Sequence, residues 1–417
     1  MAPPFHIIIV GAGICGLGAA ISIALEGHTV SVFESAPGLY TTGAGIQITP
    51  NGVRILRRLG VAEELKAKAA IPETLSILRY DGKKLLAHRD RYDEEISSKY
   101  GEPIWCLHRI DLQNALAARA ESLGVCITFD ARVIDVDCEH SEIKFDGGRS
   151  ERGHLIIAAD GLWSTMRSSM LGRPLPPQPT NDLAYRILLT IDDVGDDETL
   201  RDMISRPGIR IWMGPGAHAV AYSLLAGKMI NIVLLVPNNL PTDTAREQGS
   251  VGEMVKLFEN WDPLLVRCLS HVKAVDKWNL MHLQVDEPWS SKQGTFVMAG
   301  DSCHPMLPYL AQGANLALED GAVLGRLLGG LRSPAEIPKA IETYQKLRKG
   351  RVSAVKAETL KHQEEFHLCD GELQEARDQR LSKSFDVQSG DYWTHPKIQS
   401  WLFGYDVYHE ADNERIL

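Results

Sequence analysis

Early in the chain the hydrophobic period changes twice. "HIIIV" is a continuous apolar run, "ICGLGAAISIAL" carries a helical pattern, and "HTVSVFES" returns to a β pattern ending at Glu34. This predicts a βαβ unit with a glycine turn after its first strand. "NGVRILRRLGV" then predicts a short helix closed by Gly60. Residues 74–88 alternate apolar and polar around "YDGK", a hairpin signal through Asp81-Gly82. "RIDLQNALAARAESLG" predicts a helix with Asp111 in its first turn, followed by two or three strands from Val125 to Phe145 and the apolar strand "GHLIIAAD".

The pattern changes between residues 180 and 236. "LAYRILLTID", "GIRIWMG", "HAVAYSLL" and "MINIVLLVP" are β-rich and separated by glycine turns, with no helix expected between them. An antiparallel sheet fits that stretch. Helical patterns near 251–270 lead to "GTFVMAGD", an apolar strand of parallel type, and to helices from about Ala314 to His362, broken near "RSPAEIP". The expected fold is α/β. A discontinuous α/β domain takes residues 1–73, 104–179 and 281–362, with a long helix at its end. A second, β-rich domain takes 74–103 and 180–280, and a tail takes 363–417.

Composition narrows the function classes. A net charge of −10 over 417 residues argues against general nucleic-acid binding. Seven cysteines without framework spacing suggest reduced thiols and a cytoplasmic setting. The glycine density of the first apolar stretch fits a strand and a helix better than a membrane span, and no transmembrane segment is expected. No C-x-x-C pair occurs, and the histidines of "HQEEFH" lie five apart on different helix faces, so no metal site is expected.

"GAGICG" places Gly11, Gly13 and Gly16 between strand and helix, where they allow the tight turn, the approach of a pyrophosphate and close helix–strand packing. Glu34, ending the second strand, can hold ribose hydroxyls. "AADGLWSTMR" offers Asp160 and Arg167. One reading makes Asp160 the cap of a strand-to-helix turn and Arg167 half of a surface ion pair. "GDSCHPMLPYLAQGAN" follows the later parallel strand. Its adjacent Cys303 and His304 do not make a catalytic dyad, since neighbouring side chains seldom face one another.

In this order and spacing the three motifs resemble the class A FAD-dependent aromatic monooxygenases (flavoprotein hydroxylases), in particular their fungal salicylate-hydroxylase-like branch. "GAGIQITPNGVRILRRLG", "HRIDL" and "GPGAHAVAYSLLAGKMIN" are lesser matches, so the resemblance spans roughly residues 5–360. It implies a Rossmann-like FAD-binding domain with an inserted β-sheet substrate domain and C-terminal helices. It also implies FAD as cofactor, NADPH or NADH as reductant, and insertion of one atom of dioxygen into a small aromatic substrate by way of a flavin hydroperoxide. Decarboxylative hydroxylation of a phenolic acid is one outcome; dearomatising a phenol or epoxidising an indole, as fungal relatives in secondary metabolism do, is the alternative.

The resemblance further implies roles. Glu34 would bind the adenosine ribose, Arg109 the diphosphate and ribityl region, and Asp301 the ribityl chain. Pro308, also a candidate substrate contact, and the backbone of Gln312, Gly313, Ala314 and Asn315 would line the flavin ring, and Gly45 would also contact the cofactor. Asp160 and Arg167 belong to a motif linked with both FAD and the nicotinamide nucleotide. Ala311 stands where the wider family has glycine. Arg186 is either a substrate or flavin contact or an ion pair. His218 and Tyr222 match the family's H-x-x-x-Y and could contact substrate or flavin; His218 is either a base for the phenol or a hydrogen-bonded core histidine. Asn231, Trp212, Met213 and Ile230 are candidate pocket walls or simple core. The acid-rich segment 369–378 is expected to be a solvated helix. The aromatic tail from Asp391 to Tyr408 is expected to dock on the body or across a subunit contact, in a monomer or homodimer.

Overall fold

The computed structural model describes residues 4–39, 43–283, 287–383 and 396–414. It is an α/β protein built on two principal sheets. The first has five parallel strands in the order Phe296–Met298, Leu155–Ala158, His6–Val10, Thr29–Phe33 and Cys126–Thr128. Its central strands are buried on both faces, so their sequences are nearly continuous apolar runs. The helices Ile14–Leu25 and Gly313–Leu328 pack on each other on one side of this sheet. A three-stranded sheet spanning Val133 to Arg152 shares an apolar core with the other side.

The second sheet has eight strands. The hairpin Thr74–Arg79 and Leu85–Asp90 joins it at one edge through a parallel pairing with Gly208–Gly214. Its remaining members, Ala217–Leu224, Met229–Pro237, Gln178–Thr190, Val275–His282 and Arg246–Gly249, are antiparallel throughout. One face meets the core of the parallel sheet. The other carries a separate apolar core with helices Glu198–Ser205, Val251–Leu257 and Pro263–Leu269.

Two expectations need correction. The segment 180–236 does contain a helix, Glu198–Ser205. The Asp197 side chain caps it by accepting from Leu200 N, and Leu200 and Ile204, one turn apart, are buried. The acid-rich segment is helical from Glu372 to Lys383, but solvated on one side only. Arg377 and Asp378 are fully buried as a pair, and Asp378 also lies within ion-pair distance of Arg79 and Lys84. Charge in the sequence hid a buried face because the opposite charges neutralise one another.

Of the aromatic tail, Trp393 lies outside the described residues. Asp391, Tyr392, Thr394 and His395 lie outside them too; the described part, with helices Pro396–Phe403 and Val407–Asn413, is fastened to the body by arginines. Arg54 donates to the carbonyls of Phe403 and Tyr405. Arg351 donates to Trp401 and Leu402 O and sits 3.7 Å from the centroid of the Tyr405 ring. Among the described residues no helix is long and apolar enough to cross a membrane.

Candidate active site

A cleft of about 380 Å³ separates the two sheets. Strand register decides which residues of the second sheet face it. Ala184, Leu235 and His218 form one cross-strand row; Arg186, Val233, Val220 and Ile211 form the next; Tyr222 and Ile209 belong to a third. All of these line the cleft, leaving Arg186, His218 and Tyr222 as the polar groups of an apolar wall. Trp212 lies one residue out of phase, so it faces the opposite core, where its Nε1 donates to Asp262 at 2.7 Å. Ile230 turns to that same core. Met213 shares the cleft-side parity but is fully buried next to the His218 row and does not line the cleft. Neither Trp212 nor Met213 is a wall residue.

Arg186 makes no ion pair with a carboxylate among the described residues; its guanidinium lies 5.0 Å from the Trp278 ring centroid. Burial, and then the neighbouring Arg109, lower its pKa. Burial, reinforced by His367, holds His218 well below the usual histidine range, so its ring is neutral. Burial raises the Tyr222 phenol. Asn231 does not line the cleft. Its Oδ1 accepts from Gly45 N at 2.9 Å and ties the sheet to the strand Gly45–Ile48. Gly45 does line the cleft, and a Cβ there would come within 2.7 Å of the Tyr222 ring.

The opposite side of the cleft fits a dinucleotide. Gly11 has φ +104°, and a Cβ on it would overlap the Ala159 carbonyl; one on Gly16 would overlap the Gly11 carbonyl. At Gly13 a Cβ would meet nothing within 4 Å, which leaves open the approach a pyrophosphate needs. Gly13 and Ile14, Arg109, and Gly313 and Ala314 put the N-termini of three helices into the cleft, where free N–H groups and the helix dipoles favour anions. Glu34 accepts from Ala12 N and Ala36 N, each at 2.9 Å, beside this turn. Asp301 and Pro308 also line the cleft. Burial raises the Asp301 pKa, opposed by His304 and Arg109.

Asp160 and Arg167, and the side chains of Gln312 and Asn315, act from behind the wall. Asp160 accepts from Ser164 Oγ at 2.6 Å and Met166 N at 3.0 Å, capping the turn after its strand. Arg167 is no surface ion pair: it is 1 % exposed and donates to the carbonyls of Leu162, Leu175 and Ser302, bracing one motif loop against the other. The side chains of Gln312 and Asn315 are buried and hold Thr49, through Gln312 Nε2 to Thr49 Oγ1 and Thr49 N to Asn315 Oδ1. Between these loops Ala311 adopts φ +53°, so the left-handed turn persists without glycine at a cost of about 1 kcal/mol.

Beneath the cleft, the carboxylate of Asp320 accepts from Gly300 N, His304 Nε2 and Arg348 Nε at 2.8, 2.6 and 2.7 Å. Burial alone would raise its pKa, but the charges of His304 and Arg348 outweigh burial and hold it at about 2. A folded pKa below the unfolded one adds stability that is present above about pH 4 and lost as pH falls toward 2. The urea midpoint is therefore expected to fall across that window, and the fall should be shallower in Asp320→Asn.

Sequence reasoning missed several wall residues. Tyr309, Phe366 and Phe403 all line the cleft, the last two from the C-terminal helices. Helical patterning marks such residues as core and carries no signal of what they face.

The comparisons agree with this geometry. Residues 5–359 match the family model described as FAD binding domain. The chain is 46% identical over 416 residues to FAD-dependent monooxygenase OpS4 of Beauveria bassiana (strain ARSEF 2860), covering 98% of this chain and 97% of that one. It is 30% identical over 402 residues to 3-amino-4-hydroxybenzoate 2-monooxygenase of Streptomyces cremeus, covering 96% and 95%. A salicylate hydroxylase substrate complex superposes with a TM-score of 0.80 at 22% identity, covering 98% and 97%. A glycine turn open to a pyrophosphate, three helix N-termini and an apolar wall facing them thus agree with sequence likeness along nearly the whole chain, which belongs to the class A flavoprotein aromatic hydroxylases, the FAD-dependent monooxygenases.

Proposed function

We propose that the chain hydroxylates a phenolic acid of the hydroxybenzoate class, taking a hydride from NADH or NADPH and one oxygen atom from dioxygen while the other leaves as water. The observation that carries this reading is Arg186. A guanidinium without a carboxylate partner among the described residues, set in an apolar wall, suits an anionic substrate, whose carboxylate its planar fork can bind at two points. The hydroxybenzoate substrate in the name of the Streptomyces cremeus relative supports the same class.

Bound FAD supplies the activation of dioxygen; the protein's part is binding, orientation and exclusion of water. Glu34, the Gly11–Gly16 turn, Arg109 and Asp301 hold the cofactor. Arg186 orients the substrate carboxylate. Neutral His218 accepts the phenol proton, making the ring electron-rich, and Tyr222 offers a hydroxyl beside it. Where the attacked carbon carries the carboxylate, the ring regains aromaticity by losing carbon dioxide. The seven free thiols support a reducing, cytoplasmic setting.

A panel of hydroxybenzoates, neutral phenols and indoles tests the reading. Oxygen uptake, NADH or NADPH oxidation, carbon dioxide and product mass are followed with FAD-loaded protein. Stimulation by a 2-hydroxybenzoate with release of carbon dioxide is expected. Stimulation confined to neutral phenols or indoles overturns it.

A further inference from the structure

His218 does not end at the cleft wall. Its Nδ1 lies 2.7 Å from Nε2 of His367, the residue that closes the helix Ile337–Phe366. His367 Nδ1 in turn lies 3.5 Å from Asp182 Oδ2, on the strand Gln178–Thr190. That oxygen also accepts from Gln363 Nε2 at 2.6 Å and from the Tyr309 hydroxyl, which fix it in place. The carbonyl of His367 is held by Gly216 N at 2.9 Å, two residues before His218. The pair is thus aligned by backbone as well as by side chains.

A carboxylate only accepts, so it selects the tautomers along this line. The Asp182 charge 3.5 Å away favours the His367 tautomer with its hydrogen on Nδ1; in that tautomer His367 Nε2 accepts from His218 Nδ1–H and His218 Nε2 keeps a free lone pair. That nitrogen makes no hydrogen bond among the described residues, and the ring lines the cleft. We propose that His367 and Asp182 extend His218 into a proton relay for the phenol, an inference that rests on the substrate class proposed above. The phenol O–H bond breaks as its proton joins His218 Nε2, while the Nδ1 proton of His218 passes to His367 Nε2. Phenolate remains in the cleft and the positive charge settles on His367.

Burial lowers the His367 pKa and the Asp182 charge opposes it; two features favour that direction of transfer. His367 stands at the C-terminus of a 30-residue helix, where the dipole favours a cation, and faces the Asp182 carboxylate. The His367 side chain is also 12 % exposed, whereas His218 is 1 % exposed, so the outer imidazole is the one that can release its proton to water. The titratable groups facing the two rings are Asp182 and Tyr309, with Phe366 as their apolar neighbour. His367 and Asp182 are positioning and relay residues; of the three, only His218 lines the cleft.

The test uses FAD-loaded enzyme and 3-hydroxy-4-nitrobenzoate, whose phenolate is coloured. Difference spectra give the phenolate-to-phenol ratio of bound probe at a pH below that at which free probe ionises. Wild type should raise this ratio at least about tenfold over free probe. His367→Gln, which keeps a hydrogen-bonding group but cannot take the proton, should lose that gain while retaining FAD and probe binding. Asp182→Asn should lose part of it. An unshifted ratio in wild type, or an equal ratio in His367→Gln, overturns the relay and leaves the substrate class standing. Failure of the wild-type holoenzyme to bind the probe overturns the substrate class and the relay together.

Discussion

Arg186→Ala is expected to fold, to bind FAD, and to lose roughly 100-fold in kcat/KM for its phenolic acid, with most reducing equivalents diverted to hydrogen peroxide. A charge-assisted hydrogen bond contributes about 1.5–3 kcal/mol, and a fork that binds a carboxylate at two points contributes more than one of them. The fold has little to lose, since Arg186 leaves no carboxylate unpaired among the described residues and gives up only a cation–π contact with Trp278. Arg186→Lys keeps the charge without the planar fork and should recover only part of the loss. Steady-state kinetics with product and peroxide measured together check this. Unchanged turnover in Arg186→Ala would return the residue to a purely structural role.

Gly13→Ala and Gly16→Ala, three residues apart in one turn, are expected to fail in opposite ways. At position 16 the new Cβ falls on the Gly11 carbonyl, and neither backbone can yield without moving the strand His6–Val10 or the helix Ile14–Leu25. Overpacking of this kind costs about 1–3 kcal/mol, and more where backbone must shift, so Gly16→Ala should be poorly soluble or unfold at clearly lower urea. At position 13 the Cβ meets no protein atom. Gly13→Ala should keep the wild-type urea midpoint as apoprotein and still lose at least about tenfold in FAD affinity, because the methyl group occupies the approach of the pyrophosphate. Urea melts of the apoproteins and fluorescence titration with FAD separate the two losses. Equal FAD affinity in Gly13→Ala and wild type would show that the cofactor does not pass over this turn.

Much of this architecture is legible in the sequence, and the reasons are local. The βαβ unit, the hairpin at Asp81-Gly82 and the helix ended by Gly60 follow from hydrophobic period and backbone freedom over a few residues. What failed locally failed for equally physical reasons. The helix Glu198–Ser205 is short and lies between strands. Arg377 and Asp378 look solvated in sequence and are buried because each neutralises the other. Trp212 and Ile211 are neighbours in sequence, yet only Ile211 faces the cleft, and side-chain type alone does not reveal which parity points inward.

The sequence by itself determined the cofactor side of the protein. A dinucleotide turn is a backbone device whose constraints fall on a few consecutive residues, so Gly11, Gly13, Gly16 and Glu34 announce it together. The tertiary structure decided the substrate side. Arg186, His218, Asp182, Tyr309, His367 and Phe403 come from separate strands, a loop and the C-terminal helices, and what each does depends on distances of a few ångströms that chain order does not encode. "HQEEFH" shows the difference plainly. Its histidines are too far apart along the helix to share a metal, but the fold carries the second of them to within 2.7 Å of a histidine 149 residues earlier.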